Sequence, residues 1–153
     1  MTTWHDFLVE DDEGIRKILQ EVKHVAVIGI KDESHQHEAA HSVPKYLKEH
    51  GYKISAVNPK YDTVFGETCY NTIAEVGEEV DLVLIFRAPG NFPAHAEEVL
   101  ELSHLPMAVW MQSGITSMNA AHVLAAKDIK VVQDHCIYRD HLRLIGDREL
   151  VAA

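Results

Sequence analysis

Five short apolar runs constrain the fold of this chain most strongly. They occupy residues 25–28, 53–57, 82–86, 108–111 and 130–133. Each is the length of a strand and ends in a loop that carries glycine, proline or polar residues. Runs without polar alternation are typical of strands buried on both faces of a parallel sheet.

Amphipathic or helix-forming segments separate these runs. Helical patterns cover residues 11–22, 39–50, 92–102, 117–126 and 137–144. A further helix is expected near 71–76, and a short strand or an extended piece around 64–69. Strands that alternate with helices predict an α/β fold, here a Rossmann-like, doubly wound, mainly parallel sheet in a three-layer α/β/α sandwich. We expect one domain over residues 1–153, with residues 1–22 as a leading helical extension.

The charge balance narrows the classes of partner. The chain has 14 Lys and Arg against 24 Asp and Glu, a formal net charge of -10, which repels nucleic acid and anionic membranes. No stretch approaches about 20 apolar residues, so no membrane span is expected. Cys69 and Cys136 lie far apart, which favours a reduced, cytoplasmic protein. A small-molecule ligand is the expected partner, with a homo-oligomer or a protein partner left open.

Ligands of open α/β sheets bind at the carboxyl ends of the strands. The loop after the first run, residues 29–34, contains one glycine where a dinucleotide fingerprint has three. The second run ends in Asn58-Pro59-Lys60, which offers an amide and a cation in place of the acid that usually holds a bare ribose. This pattern suits a phosphorylated ribose, as in NADP or coenzyme A. The chain is too short for the second domain that an oxidoreductase normally uses, which favours coenzyme A.

Metal and catalytic motifs are incomplete. His35, His37 and His41 form HxHxxxH, but no cysteine or ordered carboxylate completes a metal motif. Cys136 and His141 lie five residues apart, and nothing in the sequence supplies an oxyanion hole. Neither a metal site nor a catalytic site is therefore predicted.

A set of motifs runs along most of the chain. They are VAVIG at 25–29, VPKYL at 43–47, HGY at 50–52, VNP at 57–59, FGE at 65–67, VDLV at 80–83, Phe86-Arg87, WMQSG at 110–114 and VQDHCI at 132–137. In order and spacing they resemble the stand-alone CoA-binding domain family, which is similar to the CoA-binding domain of the succinyl-CoA synthetase α subunit. The resemblance covers roughly residues 22–144.

This resemblance implies a Rossmann fold with coenzyme A in the crevice. The adenosine part is expected near the first and second strand ends, and the pantetheine near the third and fourth. The implied cofactor-binding residues are Gly29, Ile30, Lys31, Ser42, Asn58, Pro59, Lys60, Phe86, Arg87, Pro89, Gln112 and Gly114. For Asn58, a role in capping a turn stands as the alternative.

Two positions depart from the family pattern. Gly29-Ile30-Lys31 stands where many relatives have Gly-Ala-Ser, and His135 stands where arginine is frequent. In the related synthetases, chemistry needs a phosphorylated histidine in a following domain, and this chain ends at Ala153.

The predicted function is a binding module, sensor or adaptor for CoA or acyl-CoA without a catalytic site of its own. Two alternatives remain open at this point. One is a small NADP-dependent reductase, and the other is an interaction protein with a vestigial nucleotide crevice.

Overall fold

The computed structural model describes residues 3–146, and in this range seven strands form one sheet. The strands are β1 (His24–Ile28), β2 (Lys53–Val57), β3 (Thr63–Val64), β4 (Glu67–Tyr70), β5 (Leu82–Ile85), β6 (Ala108–Met111) and β7 (Lys130–Val132). Their order across the sheet is β3-β4-β2-β1-β5-β6-β7. All neighbouring strands are parallel except the β3–β4 pair.

Helices cover both faces of the sheet. They are α1 (Asp12–Glu21), α2 (Ala39–Glu49), α3 (Phe92–Leu100), α4 (Met118–Ala125) and α5 (Ile137–Leu144). The first, second and fifth share one buried cluster with the sheet, and the third and fourth share the other. The predicted Rossmann-like three-layer fold is confirmed. None of the helices in residues 3–146 combines the length and apolar character needed to cross a bilayer.

Strand β1 shows why these sequences form central strands. All five of its residues are buried. Val25 and Val27 belong to the cluster under α1, α2 and α5, whereas Ala26 and Ile28 belong to the cluster under α3 and α4. Since successive side chains of a strand point to opposite faces, an unbroken apolar run supplies both cores at once.

One predicted element differs from the structure, and a second is more regular than predicted. The helix expected near 71–76 is a four-residue 3-10 helix, Ile73–Val76, which ends at Gly77 in the left-handed conformation. The extended piece at 64–69 is the β3–β4 hairpin. Phe65 (φ 57°) and Gly66 (φ 74°) form its two-residue turn, and two positive φ values are the geometry that suits tight hairpins.

The strand order creates a switch point next to β1. After β1 the chain continues to β2 and β4 on one side, and then returns to place β5 on the other side of β1. The connections that leave β1 and β5 therefore run in opposite directions and open a crevice at the carboxyl ends of these strands. Crevices of this kind are where open α/β sheets bind ligands.

Candidate ligand-binding cleft

A cleft of about 600 Å³ lies at this switch point. Gly29 after β1, Phe86 after β5 and Gln112 after β6 line it together with the first residues of α2 and α5. The described residues that line it are Gly29, Lys31, Ala39, Ala40, Phe86, Arg87, Ala88, Gln112, Ser113, Ile115, Cys136 and Arg139. Five of the predicted site residues are among them: Gly29, Lys31, Phe86, Arg87 and Gln112.

The charge of the cleft is opposite to the charge of the chain. Lys31, Arg87 and Arg139 line it, and none of the carboxylates in residues 3–146 does, although the protein carries a net charge of -10. Within residues 3–146, neither guanidinium forms a side-chain hydrogen bond or ion pair. Two unpaired guanidinium groups in one concave site favour a bound anion, because each can donate paired hydrogen bonds to phosphate or carboxylate.

Lys31 has a different environment. Its Nζ lies 2.6 Å from Glu38 Oε1, and the second carboxylate oxygen of Glu38 contacts His35 Nδ1. The hydrogen bond from Lys31, followed by that from His35, holds the pKa of Glu38 below its ordinary value. The same carboxylate raises the pKa of Lys31. The Lys31 ammonium is therefore charged and partly neutralised.

Hydrogen bonds from α2 and β2 hold the loop that carries Lys31. The Lys31 N–H donates to the Ala40 carbonyl at 3.0 Å, and His41 Nδ1–H donates to the Lys31 carbonyl at 2.9 Å. Asn58 Nδ2 donates to the Ile30 carbonyl at 2.8 Å. Three hydrogen bonds thus fix two consecutive peptide groups of the loop, Ile30–Lys31 and Lys31–Asp32, which positions the floor of the cleft before any ligand arrives.

Asn58 is 4% exposed and does not line the cleft. Its Oδ1 accepts a hydrogen bond from the Lys60 N–H at 2.9 Å, and its own carbonyl accepts one from Cys69 Sγ at 3.4 Å. Burial raises the pKa of the Cys69 thiol, so this donor stays neutral. These contacts fit the turn-capping alternative for Asn58.

Two helices begin at the cleft. Ala39 and Ala40 open α2, and Cys136 precedes the first residue of α5. Neither helix has a side-chain hydrogen bond at its N-cap. Gln112 Oε1 accepts the Ile137 N–H at 2.8 Å, and other first-turn N–H groups of a helix have no partner within it. Such groups add a partial positive charge that attracts anions.

Gly29 is required by the backbone. Its φ is 84°, and an added Cβ would lie 2.3 Å from the Phe86 carbonyl oxygen and 3.3 Å from Arg87 Cδ. The loops after β1 and β5 therefore approach each other too closely for any side chain at position 29. This close approach places Arg87 beside Gly29 in the cleft.

Among the remaining predicted site residues, none of the side chains that the structure describes lines the cleft. Ile30 is completely buried in the core, Ser42 is exposed on α2, and Pro59 and Lys60 are exposed after β2. Gly114 is exposed with φ 83°, and its N–H donates to Asp134 Oδ1. Pro89 begins a 3-10 helix, Pro89–Asn91, and its side chain lies outside the described part of the structure. Ligand contact by these residues stays a prediction.

Arg139 is the charged residue that sequence reasoning missed. It is exposed on the first turn of α5 and lines the cleft three residues after Cys136. The segment 134–136 follows a predicted strand and could have indicated Arg139. A residue one helical turn beyond this segment returns to the same edge of the sheet.

The weak metal and catalytic motifs do not assemble. His35 contacts Glu38, whereas His41 is buried and packs against Phe65, and residues 3–146 contain no group of three side chains placed to bind a metal. His141 Nδ1 is 2.8 Å from the Tyr46 hydroxyl and lines a separate cavity of about 310 Å³. Cys136 lines the cleft instead.

Three comparisons relate the chain to known proteins. An uncharacterized protein of Bacillus subtilis, YneT, is 34% identical over 127 residues, which is 83% of this chain and 91% of that protein. A solved Thermus thermophilus structure, described as cell-free ID.343, is 36% identical with a TM-score of 0.82 and covers 89% of this chain and 100% of that one. A hypothetical protein from Pyrococcus horikoshii has a TM-score of 0.80 at 31% identity, with coverage of 90% and 94%.

A longer enzyme shares part of the sequence. An ADP-forming acetate–CoA ligase of Methanocaldococcus jannaschii is 35% identical over 69 residues, which is 45% of this chain and 10% of the ligase. The family model described as the CoA binding domain matches residues 23–141, a range that contains every named residue of the switch-point cleft. The chain therefore belongs to the CoA binding domain family.

Proposed function

We propose that this protein binds coenzyme A, free or acylated, in the switch-point cleft. The observation that carries the proposal is the charge of the lining, which among the described residues has three cations and no carboxylate in a chain of net charge -10. The net negative charge of the chain would repel an anion. Positive side chains concentrated in the cleft offset this repulsion, as a site for an anionic ligand requires. Family membership supports coenzyme A as that anion.

The cleft fits the two parts of coenzyme A. The pyrophosphate suits the space between the starts of α2 and α5, where Arg87 and Arg139 can donate to it. Apolar groups of Ala39, Ala88 and Ile115 suit the adenine and the pantetheine arm. A volume of about 600 Å³ falls within the usual range of ligand sites, roughly 300–1,000 Å³.

We further propose that the module performs no chemistry of its own. Cys136 is the one thiol in the lining. Within residues 3–146 its Sγ accepts a hydrogen bond from Gln112 Nε2 at 3.7 Å, and this partner is an amide rather than a base. A nucleophilic thiol needs an adjacent base or another group that stabilises the thiolate. The role that remains is that of a carrier, sensor or adaptor for CoA.

A thermal-shift panel tests the proposal. CoA, acetyl-CoA, dephospho-CoA, NAD, NADP and AMP are added separately to the protein. A ligand at 100 times its dissociation constant stabilises the folded state by about 2.7 kcal/mol. We expect clear shifts with CoA and acetyl-CoA, and none with NAD. A shift with NADP alone would replace the proposal with the reductase, and no shift with any compound would support a vestigial crevice.

A turnover assay tests the absence of chemistry. Acyl-CoA is incubated with the protein, with and without nucleotide triphosphates, and products are followed by chromatography. We expect no protein-dependent product. Turnover that survives repurification and disappears in Cys136→Ala would show that the cleft is an active site.

A further inference from the structure

Glu38 places a carboxylate next to the cationic cleft without lining it. The cleft residue Lys31 is its partner at 2.6 Å, and His35 contacts its other oxygen. Both Lys31 and Glu38 are partly exposed, at 38% and 49% of their side chains. The contact can therefore open without disturbing the core.

The Glu38 side chain does not cap the helix at whose N-terminus it lies. It is the N-cap of α2, yet its side chain makes no capping hydrogen bond. N-cap carboxylates commonly accept a first-turn N–H. Here the carboxylate turns toward Lys31 instead, and the first turn of α2 at Ala39 and Ala40 faces the cleft.

The other carboxylates of the same loop have different tasks. Asp32 accepts from the Ser34 N–H and hydroxyl, and Glu33 accepts from the Phe65 N–H. Each of them holds the backbone of the loop or the neighbouring hairpin. Glu38 differs from both because it contacts Lys31, a cation of the cleft. Its negative charge therefore partly neutralises a group that lines the cleft.

We propose that Glu38 is an internal competitor for Lys31, which weakens ligand binding and favours ligands that bring a phosphate. The inference rests on the proposed function, because it concerns the same cleft. A phosphate group carries up to two negative charges and three acceptor oxygens, so it can replace the Glu38 carboxylate at Lys31. A neutral ligand group cannot replace the carboxylate, so Lys31 then keeps its ion pair with Glu38.

Charge-neutralising variants test this competition. Glu38→Gln keeps the shape of the side chain and removes its charge, and we expect it to bind CoA about three- to fivefold more tightly than the original protein, as expected for removal of an exposed ion pair. Glu49→Gln makes the same change in net charge at the other end of α2, where Glu49 is exposed and far from the cleft. We expect this control to leave the affinity unchanged. Affinities are measured by calorimetry, and melting curves verify folding.

The same substitution made in a Lys31→Met variant shows whether the gain in CoA affinity acts through Lys31. In Lys31→Met, adding Glu38→Gln should change CoA affinity by less than twofold, because the cation for which Glu38 competes is gone. An equal gain in both backgrounds would overturn the assignment to Lys31. Unchanged or weaker binding by Glu38→Gln, while the original protein binds CoA, would overturn this inference alone. No CoA binding by any variant would overturn the proposed function as well.

Discussion

The Lys31 N–H donates a 3.0 Å hydrogen bond to the carbonyl oxygen of Ala40 in the first turn of α2. In a regular helix that carbonyl would accept from the residue four positions later, which is Pro44. Proline has no N–H, so the Ala40 carbonyl is open to the loop. A helix irregularity thereby fixes the residue that places an ammonium at the cleft.

Pro44→Ala should release this loop. The new N–H at position 44 competes for the Ala40 carbonyl, and the Lys31 amide loses part of its protection. We expect hydrogen exchange at the Lys31 amide to become about fivefold faster or more, as expected for loss of ~1 kcal/mol of hydrogen bonding. Pro93→Ala, in the first turn of α3, is the control. Unchanged exchange at Lys31 in Pro44→Ala would contradict the account.

Asn58→Ala should affect folding more than binding. The substitution removes both side-chain hydrogen bonds of a buried residue and leaves the Ile30 carbonyl without its donor. We expect the free energy of unfolding in urea to fall by about 1–3 kcal/mol. Asn71→Ala changes an exposed asparagine and serves as the control. An unchanged unfolding curve with weakened CoA binding would instead place Asn58 in the ligand site.

Arg87→Gln and Arg139→Gln should weaken binding with little effect on folding. Each removes a guanidinium that forms no side-chain hydrogen bond or ion pair within the described part of the protein. Hydrogen bonds to charged groups contribute about 1.5–3 kcal/mol, so each variant should lose roughly tenfold or more in CoA affinity by calorimetry. Lys127→Gln removes an exposed charge at the end of α4 and should bind normally. If all three variants bind alike, the cations of the cleft do not contact CoA.

Alanine substitutions at two glycines should distinguish the stability cost of a positive φ from the cost of a collision with neighbouring backbone. Gly29 and Gly114 have nearly equal φ values, 84° and 83°, but only at Gly29 does an added Cβ collide with backbone. We expect Gly114→Ala to cost ~1–2 kcal/mol of stability for its conformation alone. Gly29→Ala should cost at least ~2 kcal/mol more, measured by urea unfolding. Equal losses would show that the strand ends can move apart.

The strands were predictable because burial on both faces requires an unbroken run of apolar residues, which is visible in the sequence. Each apolar run is a strand of the sheet within one residue of its expected limits, as in β1 and β5. The β3–β4 hairpin left a weaker trace, since its turn puts Phe65, an aromatic residue, at positive φ. Side-chain bulk usually disfavours a positive φ, so the sequence indicates a short strand or an extended piece and not the turn of a hairpin.

The cleft was predictable only where its residues follow strands. Arg87 and Gln112 come directly after buried runs, and the strand-end rule located them. Arg139 reaches the site because α5 packs against α1 and α2, a long-range contact that no local pattern shows. The Lys31–Glu38 pair depends on the 3-10 helix Glu33–His35, which folds the loop back so that residues seven apart meet.

A crystal structure of the CoA complex tests the central claim most directly. The account predicts one CoA in the switch-point cleft, with its pyrophosphate between the starts of α2 and α5. Arg87 and Arg139 should lie within hydrogen-bond distance of its phosphate oxygens, and Lys31 should have turned from Glu38 to the ligand. CoA bound in another cavity, such as the one beside His141, or in the cleft with its phosphates away from both arginines, would contradict it.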